Sequence, residues 1–126
     1  MKTISIPGAL APAGHYSPAI ISNGLVFVSG ILPIKPFDGT KLHDKEFATQ
    51  AEQVLENLEL ILNEAGSSLS KLLKVTVYIS NISDWEEFNQ IYAAKLGDHK
   101  PARTVVPVKE LHFGLKLELD AIAAVK

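Results

Sequence analysis

The sequence predicts an α/β (α+β) fold, a mixed β-sheet with two helices packed on one face, formed as one domain over residues 1–126. Three observations lead there. Short runs of β-branched and aromatic residues lie between turn residues, as in Leu25-Val26-Phe27-Val28-Ser29. Two longer segments carry apolar residues at helical spacing and stop at glycines. Strands and helices follow one another in the order ββαβαββ, with no linker, repeat or low-complexity tract between them.

Asn23-Gly24 is a two-residue hairpin signal, so Ala19-Ile20-Ile21-Ser22 and the run from Leu25 are its two strands. The stretch from Pro33 to Gly39, with a second proline at Pro36 and the pair Asp38-Gly39, is irregular. From Glu46 to Ala65 the residues Phe47, Ala51, Val54, Leu55, Leu58, Ile61, Leu62 and Ala65 recur on one helical face, and Gly66 ends it. Leu73 to Ile79 then alternates, with Leu73, Val75, Val77 and Ile79 on one side and Lys74, Thr76 and Tyr78 on a wetter side. Ser83-Asp84-Trp85-Glu86 has the form of a capping box opening a second helix, whose apolar stripe is Trp85, Phe88, Ile91 and Tyr92 and which Gly97 closes. Pro101 disfavours helix at Lys100, so Ala102 to Val108 is a strand. After a turn at Leu111 to Gly114, the last strand runs from Leu115 to Val125, with Leu115, Leu117, Leu119, Ala121, Ala123 and Val125 on alternate positions.

Two helices cover one face of such a sheet, yet strands 25–31, 102–108 and the end of 115–125 read as apolar on both faces. With no spare element in the chain, a second copy of the chain is the expected cover.

Composition removes whole classes of function. Twelve Lys+Arg against fourteen Asp+Glu leave a formal charge of -2, so the basic excess that binds phosphate backbones is missing and nucleic acid is not expected as a partner. No run of about 18 apolar residues is present, and MKTISIPGALAP lacks a continuous apolar stretch, so the expectation is a cytoplasmic, unprocessed chain with no membrane partner. The absence of cysteine excludes disulfides, a thiol nucleophile, a cysteine zinc site and iron–sulfur ligation. His15, His43, His99 and His112 show no metal-ligating spacing and read as solvated loop residues, so no metal is expected. No nucleophile elbow, phosphate-binding loop or dinucleotide fingerprint occurs.

Three residues remain as candidates. Of twelve basic residues eleven are lysine, which leaves Arg103 as the one guanidinium; such a position suits a planar five-donor fork, with a chance arginine as the alternative. Glu118 lies between Leu117 and Leu119 in the last strand, with Lys116 and Asp120 on its face, either as a working carboxylate or as part of a solvated polar edge. Tyr16 lies in Gly14-His15-Tyr16-Ser17-Pro18, a turn able to present a ring and hydroxyl to a ligand or to cover the edge of the core.

Several separated stretches together resemble the Rid family of reactive-intermediate deaminases, also called the YjgF/YER057c/UK114 family. They are Gly14 to Ala19, Val28-Ser29-Gly30-Ile31-Leu32-Pro33, Gln50-Ala51 through Leu58, Val75 to Tyr78, Phe88-Asn89-Gln90-Ile91-Tyr92, Pro101-Ala102-Arg103-Thr104 and Leu117 through Ala123. The resemblance implies a chorismate-mutase-like fold assembled as a homotrimer, with sites in the clefts between subunits. It also implies hydrolysis of 2-imino and 2-enamino acids to 2-oxo acids and ammonia with no cofactor. Carried over by motif, Arg103 is expected to hold the substrate carboxylate and Glu118 to orient or activate water. Tyr16, Ser29 and Val105 match positions that line the site. The chain departs from the common pattern at His15, where proline is usual, at Ile31, where glutamine is usual, and at Val105, where many members have cysteine. The changes at Ile31 and Val105 are expected to make the site less polar, and those at His15 and Ile31 leave the substrate open. A trimeric carboxylate-binding or regulatory protein without turnover is the competing reading. RNA cleavage, attached to some relatives, is disfavoured by the acidic balance.

Overall fold

The computed structural model describes residues 1–125. Six strands form one sheet: β1 (Lys2–Ile4), β2 (Ala19–Ser22), β3 (Leu25–Ile31), β4 (Leu72–Ile79), β5 (Ala102–Pro107) and β6 (Leu117–Ala124). Their spatial order is β1-β2-β3-β6-β4-β5, antiparallel except for the parallel pair β4 and β5. The helices are α1 (Phe47–Glu64) and α2 (Trp85–Leu96). A parallel pair needs a crossover, and α2 supplies it between β4 and β5.

Register shows which side chains share a face. Val28 pairs with Ala121, Ala121 with Val75, Ile31 with Leu119, and Leu119 with Val77. These residues are all buried, and they form one cluster with Phe47, Val54, Leu58 and Leu62 of α1 and Phe88 and Tyr92 of α2. Both helices therefore pack on the same face, as the sequence predicts.

The other face is divided: it is apolar along β3 and the end of β6, as the sequence reading has it, and polar along β4 and the start of β6. Ile20, Phe27 and Ile122 lie across from one another at one end, with Phe27 42% exposed. Thr76, Tyr78, Thr104, Glu118 and Asp120 make the other end polar.

The turns follow their sequence signals. Asn23 and Gly24 both have positive φ, 51° and 76°, as a tight hairpin with a right-handed twist requires. Gly66, at φ 77°, closes α1: its N–H bonds to the Asn63 carbonyl and that of Ser67 to the Leu62 carbonyl, which satisfies two free helix-end acceptors.

Four sequence expectations are corrected. β1 is a strand that three residues, Lys2, Thr3 and Ile4, do not announce, so the chain opens with three strands. Leu73 is not an inward residue: β4 holds one extra residue between Leu72 and Lys74 relative to β6, so Leu72 fills the core and Leu73 is extruded. No capping box forms, because residues 82–84 make a 3-10 turn and the Asn81 side chain accepts from the Ser83 N–H (3.0 Å) and hydroxyl (2.8 Å). His99 is not merely a solvated loop residue, since its Nε2 lies 2.7 Å from the Leu72 carbonyl oxygen.

Buried polar side chains fasten the helical layer to the sheet. Gln50 is fully buried in the first turn of α1, donates to the Lys45 carbonyl (2.9 Å) and accepts from the Lys116 N–H (2.9 Å). Asn57 donates to the Ile34 carbonyl (2.8 Å) and so holds the irregular segment after β3. Gln50→Leu keeps the volume but strands both backbone groups, and urea unfolding is expected to show a loss of about 2–4 kcal/mol.

Candidate functional site

The residues singled out in the sequence fall into two groups on opposite faces of the sheet. Arg103 pairs in parallel register with the fully buried Val75, so its side chain leaves β5 on the helix side. There Nη1 donates to Oδ1 of Asn89 on α2 at 3.0 Å. The guanidinium carbon lies 4.9 Å from the ring centre of Tyr92, 5.9 Å from that of Trp85 and 6.0 Å from that of Phe88. No carboxylate neutralises it: among the described residues the one ion pair is Lys95 with Glu59. The buried Tyr92 hydroxyl has no partner among the described residues, and burial raises its pKa although the Arg103 charge pulls the other way. Val105, two residues on, is in phase with Arg103 and packs against the core.

Glu118 is opposite Tyr78 on the outer face, where Asp120 accepts a hydrogen bond from the Tyr78 hydroxyl (3.1 Å). The Glu118 carboxylate lies over Gly30, so close that a Cβ at that position would collide with it. A bulge makes this possible: Val28 and Ile31 of β3 are three apart while their partners Ala121 and Leu119 are two apart, so Ser29 and Gly30 together oppose Asp120. Ser29 donates through its hydroxyl to the Ser17 carbonyl (2.6 Å) and through its N–H to the Pro18 carbonyl (3.0 Å). This fastens the loop that carries Tyr16, a residue 55% exposed. Tyr16, Ser29 and Glu118 are thus linked through one strand end and one loop.

Burial pushes the Glu118 carboxyl above its ordinary value; the charge of His112 opposes this and that of Asp120 adds to it. Tyr78 is raised too, chiefly by its hydrogen bond to Asp120. A carboxylate held in this way takes up a proton more readily than an ordinary one.

Arg103 and Glu118 are separated by the sheet itself, and one chain cannot present both to a single small molecule. Neither of two surface hollows joins them. One of about 510 Å³ lies between the helices and is lined by Glu52, Glu56, Gln90 and Lys95 among others. The other, of about 370 Å³, is lined by residues including Ser80, Asp84, Lys109 and Lys116. Ile31 is 7% exposed and paired with Leu119, so its side chain fills the core. Asn89 and His112 are the residues that sequence reasoning passed over. Asn89 is a polar residue in a helical stripe, a signal open to view, whereas nothing local announces that His112 acts on Glu118. Among the described residues no group of three or more His, Asp or Glu is placed to hold a metal ion, and no helix is long and apolar enough to cross a membrane.

Residues 7–125 match the family model described as Endoribonuclease L-PSP. The chain is 40% identical to Protein HMF1 of Saccharomyces cerevisiae, across 92% of this chain and 88% of that one. It superposes on RidA from the Antarctic bacterium Psychrobacter with a TM-score of 0.92 at 34% identity, over 99% of this chain and 100% of that one. It likewise superposes on Escherichia coli TdcF with bound serine, with a TM-score of 0.92 at 31% identity and all of both chains covered.

Two outcomes follow for Glu118. A folded-state pKa above the ordinary 4.5 means that the folded chain holds this proton more tightly than the unfolded one, so its contribution to stability is lost as pH rises from about 4.5 through the raised value. Denaturant titrations across that window should therefore show wild-type stability falling relative to Glu118→Gln; parallel curves would remove the effect. In Gly30→Ala the new Cβ displaces the carboxylate, and the Glu118 carboxyl carbon, followed by NMR, should titrate at a lower pH than in the wild type.

Proposed function

The chain belongs to the endoribonuclease L-PSP family, the Rid family of the resemblance above, and on that premise we propose that it hydrolyses 2-imino and 2-enamino acids to 2-oxo acids and ammonia. The observation that carries this reading is a single unneutralised arginine on one face of the sheet and a proton-accepting carboxylate on the other. The two meet only if the Arg103 edge of one subunit docks against the Glu118 face of the next. Contacts between two different patches close into a ring, and a homotrimer is the proposed ring. The divided outer face, apolar at one end and polar at the other, suits such a contact.

In the cleft the Arg103 fork binds the substrate carboxylate through two parallel hydrogen bonds, a geometry a lysine cannot offer. The serine in E. coli TdcF supports this choice, since it too is a small molecule bearing an α-carboxylate. Glu118 of the neighbouring subunit takes a proton from water as the oxygen attacks the C=N carbon. That proton passes to nitrogen and gives a carbinolamine; Glu118 then takes the hydroxyl proton and delivers it to nitrogen as the C–N bond breaks, so both protons of the water leave on ammonia and the 2-oxo acid stays behind. An imine already reacts with water, so position and one carboxylate that relays two protons in turn suffice, and no cofactor is required. Tyr16 and Ser29 belong to the Glu118 side of the cleft and Val105 to the Arg103 side.

The test supplies imino acid from an amino-acid oxidase and follows the 2-oxo acid. Arg103→Lys should lose on the order of 2–4 kcal/mol of transition-state binding. Glu118→Gln should lose turnover about a hundredfold while still binding pyruvate. Light scattering should give about three times the 13.7 kDa chain mass. Co-refolding Arg103→Lys with Glu118→Gln chains in equal amounts should restore about a quarter of wild-type activity, because a quarter of the clefts then receive both native residues. No recovery would place both residues in one chain's site. Pyruvate binding without turnover in the wild type would favour a carboxylate-binding or regulatory protein.

A further inference from the structure

We propose that Asn89, helped by the ring of Tyr92, is a positioning residue that fixes the Arg103 fork while leaving its charge free for a substrate carboxylate. This rests on the deaminase reading above.

Trp85, Phe88, Asn89 and Tyr92 are spaced i, i+3, i+4 and i+7, so they occupy one face of α2, and all four meet Arg103. The stripe that reads as core in the sequence is thus also the bed of the single guanidinium. Within it Asn89 is the anomaly. Asparagine is a weak helix former, and at that position leucine or methionine would extend the apolar stripe. Its amide oxygen, 3.0 Å from Nη1, is the hydrogen-bond acceptor that the Arg103 guanidinium has among the described residues.

The chemistry of each neighbour matters. An amide is a neutral acceptor: it orients the fork through one of its five N–H groups and cancels none of its charge. An aspartate there would form an ion pair and compete with any incoming carboxylate. The aromatic rings attract the cation through their faces and take up no N–H. Tyr92 fits this role, since among the described residues its hydroxyl has no partner and its ring is what meets Arg103. The arrangement therefore holds the guanidinium without neutralising it, the condition an anion-binding arginine needs.

Because Arg103 is the only arginine, its Nε–H and Nη signals in an NMR spectrum are unambiguous. Asn89→Ala should shift them and speed rotation about the Cζ–N bonds. Asn89→Asp should weaken pyruvate binding on the order of tenfold or more, and should raise KM for the imino acid more than it lowers kcat, with the oligomer unchanged. Asn89→Gln, which restores a neutral amide, should recover part of the affinity. Arg103 signals unmoved in Asn89→Ala, or wild-type pyruvate binding by Asn89→Asp, would overturn the proposal. If wild-type protein itself does not bind pyruvate, the deaminase reading falls, and the guanidinium spectra of wild type and Asn89→Ala still decide whether Asn89 holds the fork.

Discussion

A β-strand sends successive side chains to opposite faces, and much of this molecule follows from that alternation. In β6, Leu117, Leu119, Ala121 and Ala123 are buried while Glu118 and Asp120 look outward. In β5 the phase is inherited from the parallel register with β4, which aligns Arg103 with Val75 and Val105 with Val77. A slip of one residue in that register would move Arg103 to the Glu118 face and strip it of Asn89 and the aromatic bed. The register is held at its far end by the Val108 N–H, which bonds to the Ile79 carbonyl at 2.8 Å. Core and site are thus two readings of one pairing.

Between the alternating strands, segments without repetitive structure are fixed by side chains. Asn57 accepts from Gln53 and donates to the Ile34 carbonyl, so a position on α1 governs the loop after β3. That loop places Lys41 over the Phe113 ring at 4.7 Å, next to His112. Ser67, just past α1, donates to the Ala124 carbonyl and ties the helix end to the end of β6. The Asn57 and Ser67 bonds each join a side chain to a backbone carbonyl away from open solvent, which removes the penalty of leaving either group unpaired.

Where structure is set by neighbours in sequence, the sequence disclosed it. Asn23-Gly24, Gly66 and the alternation of β6 were legible because each rests on the φ preference or periodicity of a few adjacent residues. What escaped depends on distant partners. β1 is a strand because β2 pairs with it, and Leu73 faces outward because β4 bulges against β6. Asn81 caps where Ser83 was expected to, since a 3-10 turn intervenes before α2. For the site, Arg103 and Glu118 were visible by residue type, but their separation by the sheet was not. That fact needs the parallel register of two strands joined by a helix, a pairing that no local pattern encodes.

The edges of the sheet carry a consequence for how such chains behave when crowded. An exposed strand offers unpaired N–H and C=O groups that can recruit strands indiscriminately. Here one edge, β1, is only three residues long, and the other, β5, is preceded by Pro101 and ends in Pro107, neither of which has an N–H to donate. Growth by adding strand to strand is therefore poorly templated at both ends. The shortness of one edge and the prolines at the other thus guard the folded chain against fibril growth at high concentration.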